Sequence, residues 1–393
     1  VSQIKNWLFI SIIVFFGLII VACSSGQSSA DGESTDGGSV TSDSSNANQG
    51  SDETIVLRAS SGLPMHNAWM QSVFTPWIER VEAESNGRLK IELFPAGELV
   101  PLGGEYDALN AGTIDLGLPI LHIYLPHLFP LAEVTMLPLS TSNGEIVTEA
   151  YYNLIFGNHK FSDGKTYYER EFEQNGLKVW AMNVADPYVI STTGQEFNSV
   201  DDFKDVRLRT GMRLNELFVN NVGGSTISMH MPEAYDALSR GAFEGIIMSV
   251  ADWTGWGFQD LFNYALEGVH LGHVTAVFGM KQDKWDSLPE DIQQIMETAA
   301  HEIQQSKEAK EILLSLYDEV LEIAGEKNAK FDHLDNLDPE VQEYVESAME
   351  QTWYDWIEIL EGDGQPGRET AILWRDLILE AGGDVPDSIK ELE

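Results

Sequence analysis

Hydrophobic and polar residues fall into three regimes along this chain. From Trp7 to Ala22 the residues are almost entirely apolar (WLFISIIVFFGLIIVA), and Lys5 is the only charged residue before Cys23. The run is short for a membrane span of about 20 apolar residues and suits the apolar core of a signal peptide. Residues 24–53 are dominated by serine, glycine, asparagine and aspartate, with six acidic side chains and no lysine or arginine. Such a segment carries too little apolar surface to offset its ordering entropy, and reads as a flexible tether.

Beyond residue 53 the pattern becomes periodic. Residues 54–59 form a short β-rich run, and Trp69, Val73, Phe74, Trp77 and Val81 then recur at helical spacing. Leu89, Ile91 and Leu93 alternate with Lys90 and Glu92 as in a strand; a short helix around Tyr106–Leu109 leads to a third strand at Ile114–Leu118. A second set follows, with strands at Leu177–Met182, Val206–Arg209, Gly245–Met248 and Val274–Gly279. Helices fall between them at Leu214–Val222 and Glu233–Arg240. Apolar positions from Pro289 to Ala324 would make a helix of about 50 Å if continuous, long enough to bridge two lobes. Further helices are expected at 339–361 and 367–381. The order predicts an α/β protein with mainly parallel sheets.

Chemistry sharpens this outline. Ile20-Val21-Ala22-Cys23 places small residues before the only cysteine in the chain, which rules out an intrachain disulfide. It is the arrangement that a lipoprotein signal peptidase cleaves and acylates, so Cys23 is the expected lipidation site. The predicted organisation is a signal peptide at 1–22 and an acidic linker at 23–53. Residues 54–183 with 273–393 then form a first lobe carrying the bridging and C-terminal helices, and 184–272 a second lobe. With 63 acidic against 23 basic residues, a net charge of −40 makes nucleic acid a poor partner. No Gly-x-Ser-x-Gly, Walker or Gly-x-Gly-x-x-Gly motif occurs. His270-Leu271-Gly272-His273 lacks further metal ligands, Asp332–Asp338 lacks the glycine of a calcium loop, and no cofactor or metal is expected.

Five stretches resemble the DctP-type substrate-binding proteins of tripartite ATP-independent periplasmic (TRAP) transporters. They are Gly87–Leu99 (GRLKIELFPAGEL), Tyr106–Leu116 (YDALNAGTIDL), Asp202–Arg209 (DFKDVRLR), Glu233–Gly245 (EAYDALSRGAFEG) and Trp285–Pro289 (WDSLP). The resemblance spans residues 54–325. It implies a two-lobe periplasmic-binding-protein-like fold with an interlobe cleft and a long bridging helix, and a monomer that hands a small organic acid to TRAP-type permease subunits. The expected location is outside the cytoplasm, lipid-anchored in the periplasm or on the outer face of the plasma membrane.

Arg209 stands at the position that in the resembling family pairs with a ligand carboxylate. A guanidinium offers two parallel N–H donors matched to that group and stays charged. Tyr188 stands where many family members place a second arginine, and Met248 where many place an asparagine. These departures imply a one-arginine, more apolar pocket, for a monocarboxylate or a zwitterion. Trp253 and Trp256, in a loop expected at the cleft, are candidates for an aromatic wall or for packing. His66, in the loop after the first strand, is a further candidate. Two other readings stay open at this point: an anchored extracytoplasmic hydrolase, or a ligand-sensing domain for a partner receptor. Cys23→Ser should move the expressed protein out of the detergent-extracted membrane fraction and abolish lipid labelling; unchanged labelling would overturn the lipidation assignment.

Overall fold

A computed structural model of the chain describes residues 54–229 and 231–393; the apolar stretch, Cys23 and the acidic linker lie outside them. The described residues build two sheets. The first has the order β2-β1-β3-β10-β4, with β1 (Ile55–Ser60), β2 (Leu89–Phe94), β3 (Leu116–Ile120), β4 (Leu177–Ala181) and β10 (Val277–Lys281). The second has the order β11-β9-β5-β8-β6-β7, with β5 (Val189–Thr192), β6 (Arg207–Thr210), β7 (Ser225–Ser228), β8 (Gly245–Met248), β9 (Tyr264–Glu267) and β11 (Lys330–His333). β1 pairs in parallel with β2 and β3, and β6 with β7 and β8.

The mainly parallel expectation fails where the chain changes lobe. β10 runs antiparallel to β3 and β4, and β5 antiparallel to β8 and β9. The chain leaves the first sheet through residues 182–188 and returns through 268–276. The returning strand therefore runs opposite to the one that left. β11 comes from the 273–393 stretch assigned by sequence to the first lobe, yet it extends the second sheet by pairing with β9.

Alternation of burial fixes the outer strands: in β2, Leu89 and Ile91 are buried while Lys90 and Glu92 are exposed. The central strand β3 is buried throughout. One face of the first sheet is covered by an aromatic nucleus, with Trp77 and Trp180 each 5.2 Å from the Phe278 ring centroid. Trp77 also donates its indole N–H to the Met296 carbonyl at 3.2 Å, tying the helix Thr75–Glu84 to Glu290–Gln305.

The helix expected from Pro289 to Ala324 is two helices, Glu290–Gln305 and Lys307–Glu326. Ser306 turns the chain between them at ψ 140° and caps the second by accepting from the Ala309 N–H. Lys307–Glu326 packs on Met70–Phe74 of the first lobe and on Val250–Asp252 of the second. A second bridge is the helix Pro339–Gly362. Its Val341, Val345 and Met349 join the core of the second lobe, and its Trp353, Trp356 and Leu360 join that of the first. Trp353 and Trp356 are fully buried packing residues.

The two crossing segments are laced together. The Tyr188 N–H donates to the Gly272 carbonyl and the Leu271 N–H to the Tyr188 carbonyl. His273 donates from Nδ1 to the Ala185 carbonyl at 2.9 Å and accepts at Nε2 from the Ser142 hydroxyl, while His270 Nδ1 accepts from the Ser142 N–H. Burial holds His270 down at about 4 and His273 at about 3, so both imidazoles are neutral structural acceptors. Among the described residues no cluster of potential metal ligands occurs. Gly272 has φ +83°, and a Cβ there would lie 2.3 Å from the Met136 Cα. Gly382, at φ +88°, has open space around it. Gly382→Ala should cost about 1 kcal/mol of backbone strain, and Gly272→Ala a further ~1–3 kcal/mol of overpacking. Equal denaturation midpoints for the two variants would contradict this packing of the hinge.

Candidate ligand-binding cleft

Arg209 owes its position to β6. Leu208 points into the core of the second lobe, and Arg207 and Arg209 share the opposite face by the two-residue period of a strand. Arg207 is exposed and pairs with Glu244, Nη2 to Oε1, at 2.8 Å. Arg209, nearer the carboxyl end of the strand, is only 4% exposed. Its Nε and Nη2 both donate to the Met229 carbonyl, at 3.0 and 2.6 Å. Its guanidinium lies against Gly211, where a Cβ would come within 2.9 Å of Nη2. Among the described residues it is the only buried lysine or arginine, no carboxylate lies within salt-bridge distance of it, and Nη1 has no protein partner. Burial lowers its pKa, opposed by Tyr124 and Tyr188, and the group remains a cation.

Three side chains from other elements share this region. Tyr124 comes from the short turn His122–Tyr124 after β3, Tyr188 from the first crossing segment, and Asp252 from the turn Val250–Asp252 after β8. Burial pushes both phenols above their usual value. Each also responds to the Arg209 guanidinium, which lowers it, and to the Asp252 carboxylate, which raises it. Burial likewise raises Asp252 to about 6. Both lobes therefore contribute to one polar constellation at the carboxyl ends of their strands, the usual location for ligands in open α/β sheets.

Strand ends also carry orphaned polar atoms. Among the described residues the hydroxyls of Ser60, ending β1, and Ser249, following β8, are buried without partners, as are both amide atoms of Asn183 after β4. Buried polar groups are almost always satisfied, so each of these atoms can take a water or ligand partner, as can orphaned atoms deeper in the cores such as Tyr167 Oη and Trp374 Nε1. An ion pair across the lobes closes the region: Arg213, at the start of the helix after β6, donates from Nε to Glu133 Oε2 of the first lobe at 3.0 Å. Two small cavities, of about 220 and 150 Å³, lie beside the crossing segments, and Arg209 lines neither.

Of the residues singled out by sequence, Arg209 and Tyr188 meet at this junction. Met248 is fully buried in the apolar core of the second lobe. Trp253 does not wall the cleft. It is fully buried, donates its indole N–H to Ser191 Oγ at 3.0 Å and packs against Phe262 and Phe331. Trp256 is half-buried against the same core. His66 is exposed, and among the described residues its imidazole makes no hydrogen bond. Sequence reasoning misses Tyr124 and Asn183 because neither stands in a motif. Asp252, directly before Trp253, is overshadowed by the tryptophan.

Solved structures share this architecture. A marine metagenome TRAP solute-binding protein specific for aromatic acid ligands, in complex with 3-hydroxybenzoate, superposes with a TM-score of 0.72 at 20% identity, covering 84% of this chain and 99% of that one. A TRAP solute-binding protein from Rhodoferax ferrireducens with copurified benzoate gives 0.69 at 20% identity, over 84% and 98% of the two chains. Among curated relatives, a monocarboxylate 2-oxoacid-binding periplasmic protein from a Nostoc species is 26% identical over 279 residues, 64% of this chain and 69% of that protein. The family model described as bacterial extracellular solute-binding protein, family 7 (DctP) matches residues 59–358. Three quarters of the sequence and the two-lobe fold thus agree: the chain is a TRAP-type solute-binding protein and belongs to bacterial extracellular solute-binding protein family 7.

Proposed function

We propose that this protein captures a small organic acid, a monocarboxylate or a zwitterion, between its lobes and delivers it to a TRAP-type permease. The single observation that carries the reading is Arg209: a buried guanidinium with one carbonyl partner and no counter-ion among the described residues. An unpaired buried cation is unfavourable by several kcal/mol, and a carboxylate arriving at its free donors removes that penalty. Such a ligand gains most when the lobes shut around it, because exclusion of water strengthens each polar contact. The Arg213–Glu133 pair, which joins the helix after β6 to the first lobe, is consistent with a closed arrangement of this kind.

The apolar side of the pocket follows from the departure at Tyr188, because Met248 is buried in the core of the second lobe and offers the cleft no surface. A second arginine at position 188 would suit a dicarboxylate; a phenol there suits an apolar or aromatic body. The benzoate and 3-hydroxybenzoate bound by the similar proteins, and the mandelate bound by one from Bordetella bronchiseptica, fit that description. TRAP solute-binding proteins are transport components and not enzymes, so no turnover of the ligand is expected. Export and anchoring through an acylated Cys23 are part of the proposal, supported by the amino-terminal sequence. Among the described residues no helix is long and apolar enough to cross a membrane.

Calorimetry with a panel of aromatic and aliphatic monocarboxylates tests the reading. Arg209→Met should weaken binding of any acid that the wild type takes by about 2–5 kcal/mol. The unliganded variant should unfold within about 2 kcal/mol of wild type, since only one carbonyl contact is lost. Arg209→Lys should recover little, because an ammonium lacks the planar fork. Undiminished binding by Arg209→Met would overturn the proposed recognition.

A further inference from the structure

Arg209 is not the only unpaired charge at the junction. Asp252 ends the turn that follows β8, and among the described residues its carboxylate has neither a hydrogen-bond nor an ion-pair partner. β6 and β8 are parallel neighbours, with Arg209 beside Ile246, so the carboxyl ends of both strands lie on one edge of the sheet. Asp252 follows six residues after Ile246, on the same edge. Its backbone is held firmly. The next residue, Trp253, is anchored in the core through Ser191, and the bridging helix Lys307–Glu326 packs over Val250–Asp252.

Both charges act on the same two phenols, Tyr124 and Tyr188, yet they do not neutralise each other: no Arg209–Asp252 ion pair exists within 4 Å. A simple carboxylate would satisfy Arg209 and leave Asp252 a half-buried, uncompensated anion that repels the ligand. Repulsion between like charges at such a site costs several kcal/mol. A ligand with a cationic nitrogen turns that repulsion into attraction, and two neighbouring phenol rings suit a cation further.

We propose that Asp252 is the second anchor of the cleft, and that the cargo is a zwitterion whose carboxylate meets Arg209 and whose cationic nitrogen meets Asp252 beside Tyr124 and Tyr188. This rests on the organic-acid reading above and narrows it to one class. The nitrogen is either a protonated amine or a quaternary ammonium, which share the charge and differ in hydrogen bonding.

Calorimetry with matched probes tests the assignment: phenylalanine, its trimethylated betaine and 3-phenylpropanoate, and the corresponding set built on leucine and 4-methylpentanoate. At least one zwitterion should bind wild-type protein about tenfold or more tightly than its nitrogen-free partner. Asp252→Asn should erase that preference while binding the nitrogen-free acid at least as well as wild type does. Equal binding of betaine and amino acid would identify bare charge as the feature recognised, and loss on trimethylation would identify the N–H donors; either supports the assignment. Nitrogen-free acids binding wild type as tightly as the zwitterions would overturn it, even if Asp252→Asn failed to fold. So would a preference that survives in Asp252→Asn. Failure of wild type to bind any carboxylate in the panel would overturn the organic-acid reading itself, and this inference with it.

Discussion

Keeping a guanidinium in the interior without a counter-ion among the described residues imposes conditions on everything around it. Arg209 meets them with one backbone acceptor, the Met229 carbonyl, and with a glycine at 211 whose missing side chain leaves room for the charged group. Its exposed neighbour Arg207 is paired conventionally with Glu244, so the absence of a carboxylate at Arg209 among the described residues belongs to the site and not to the strand. Tyr124 and Tyr188 supply polar surroundings without a full negative charge. A protein-borne carboxylate in contact with Arg209 would satisfy the cation permanently, and a ligand would then have to displace it.

The rest of the fold serves the approach of two lobes to that group. Two crossing segments and two bridging helices join the sheets, and the buried Ser142–His270–His273 network fixes the segments to the first lobe. The helix Pro339–Gly362 is anchored in one core at its amino-terminal half and in the other at its carboxyl-terminal half. Motion between lobes must therefore pass through bending of these elements, and Arg213 of one lobe is paired with Glu133 of the other. Glu133 is almost fully buried, and burial raises its carboxyl even beside Arg213. Desolvation of that carboxylate offsets much of the attraction between the two charges.

Much of this is legible in sequence, for identifiable reasons. Arg209 stands out because five ordered stretches resemble one family, and the strands with an unbroken apolar run or clean alternation, β8 and β2, announce themselves. β5, β7 and β11 do not, because each mixes polar and apolar residues over too few positions to show a period, whereas the equally short β8 is apolar throughout. Ser306 is hidden by apolar residues that keep helical spacing on both sides of it, although a serine within a polar run is a capping signal. In the loop after β8 the sequence offers an acid and a tryptophan side by side. Only packing decides which enters the core, and there the tryptophan's size prevails over its appeal as a binding surface.

The most direct test of carboxylate capture by Arg209 is a crystal structure of the protein grown with the tightest-binding organic acid from calorimetry. Its electron density should show the carboxylate between the lobes, bonded to the free donors of Arg209 while the Met229 contact is kept. Ligand density elsewhere, with Arg209 still bonded to Met229 alone, would contradict the central claim.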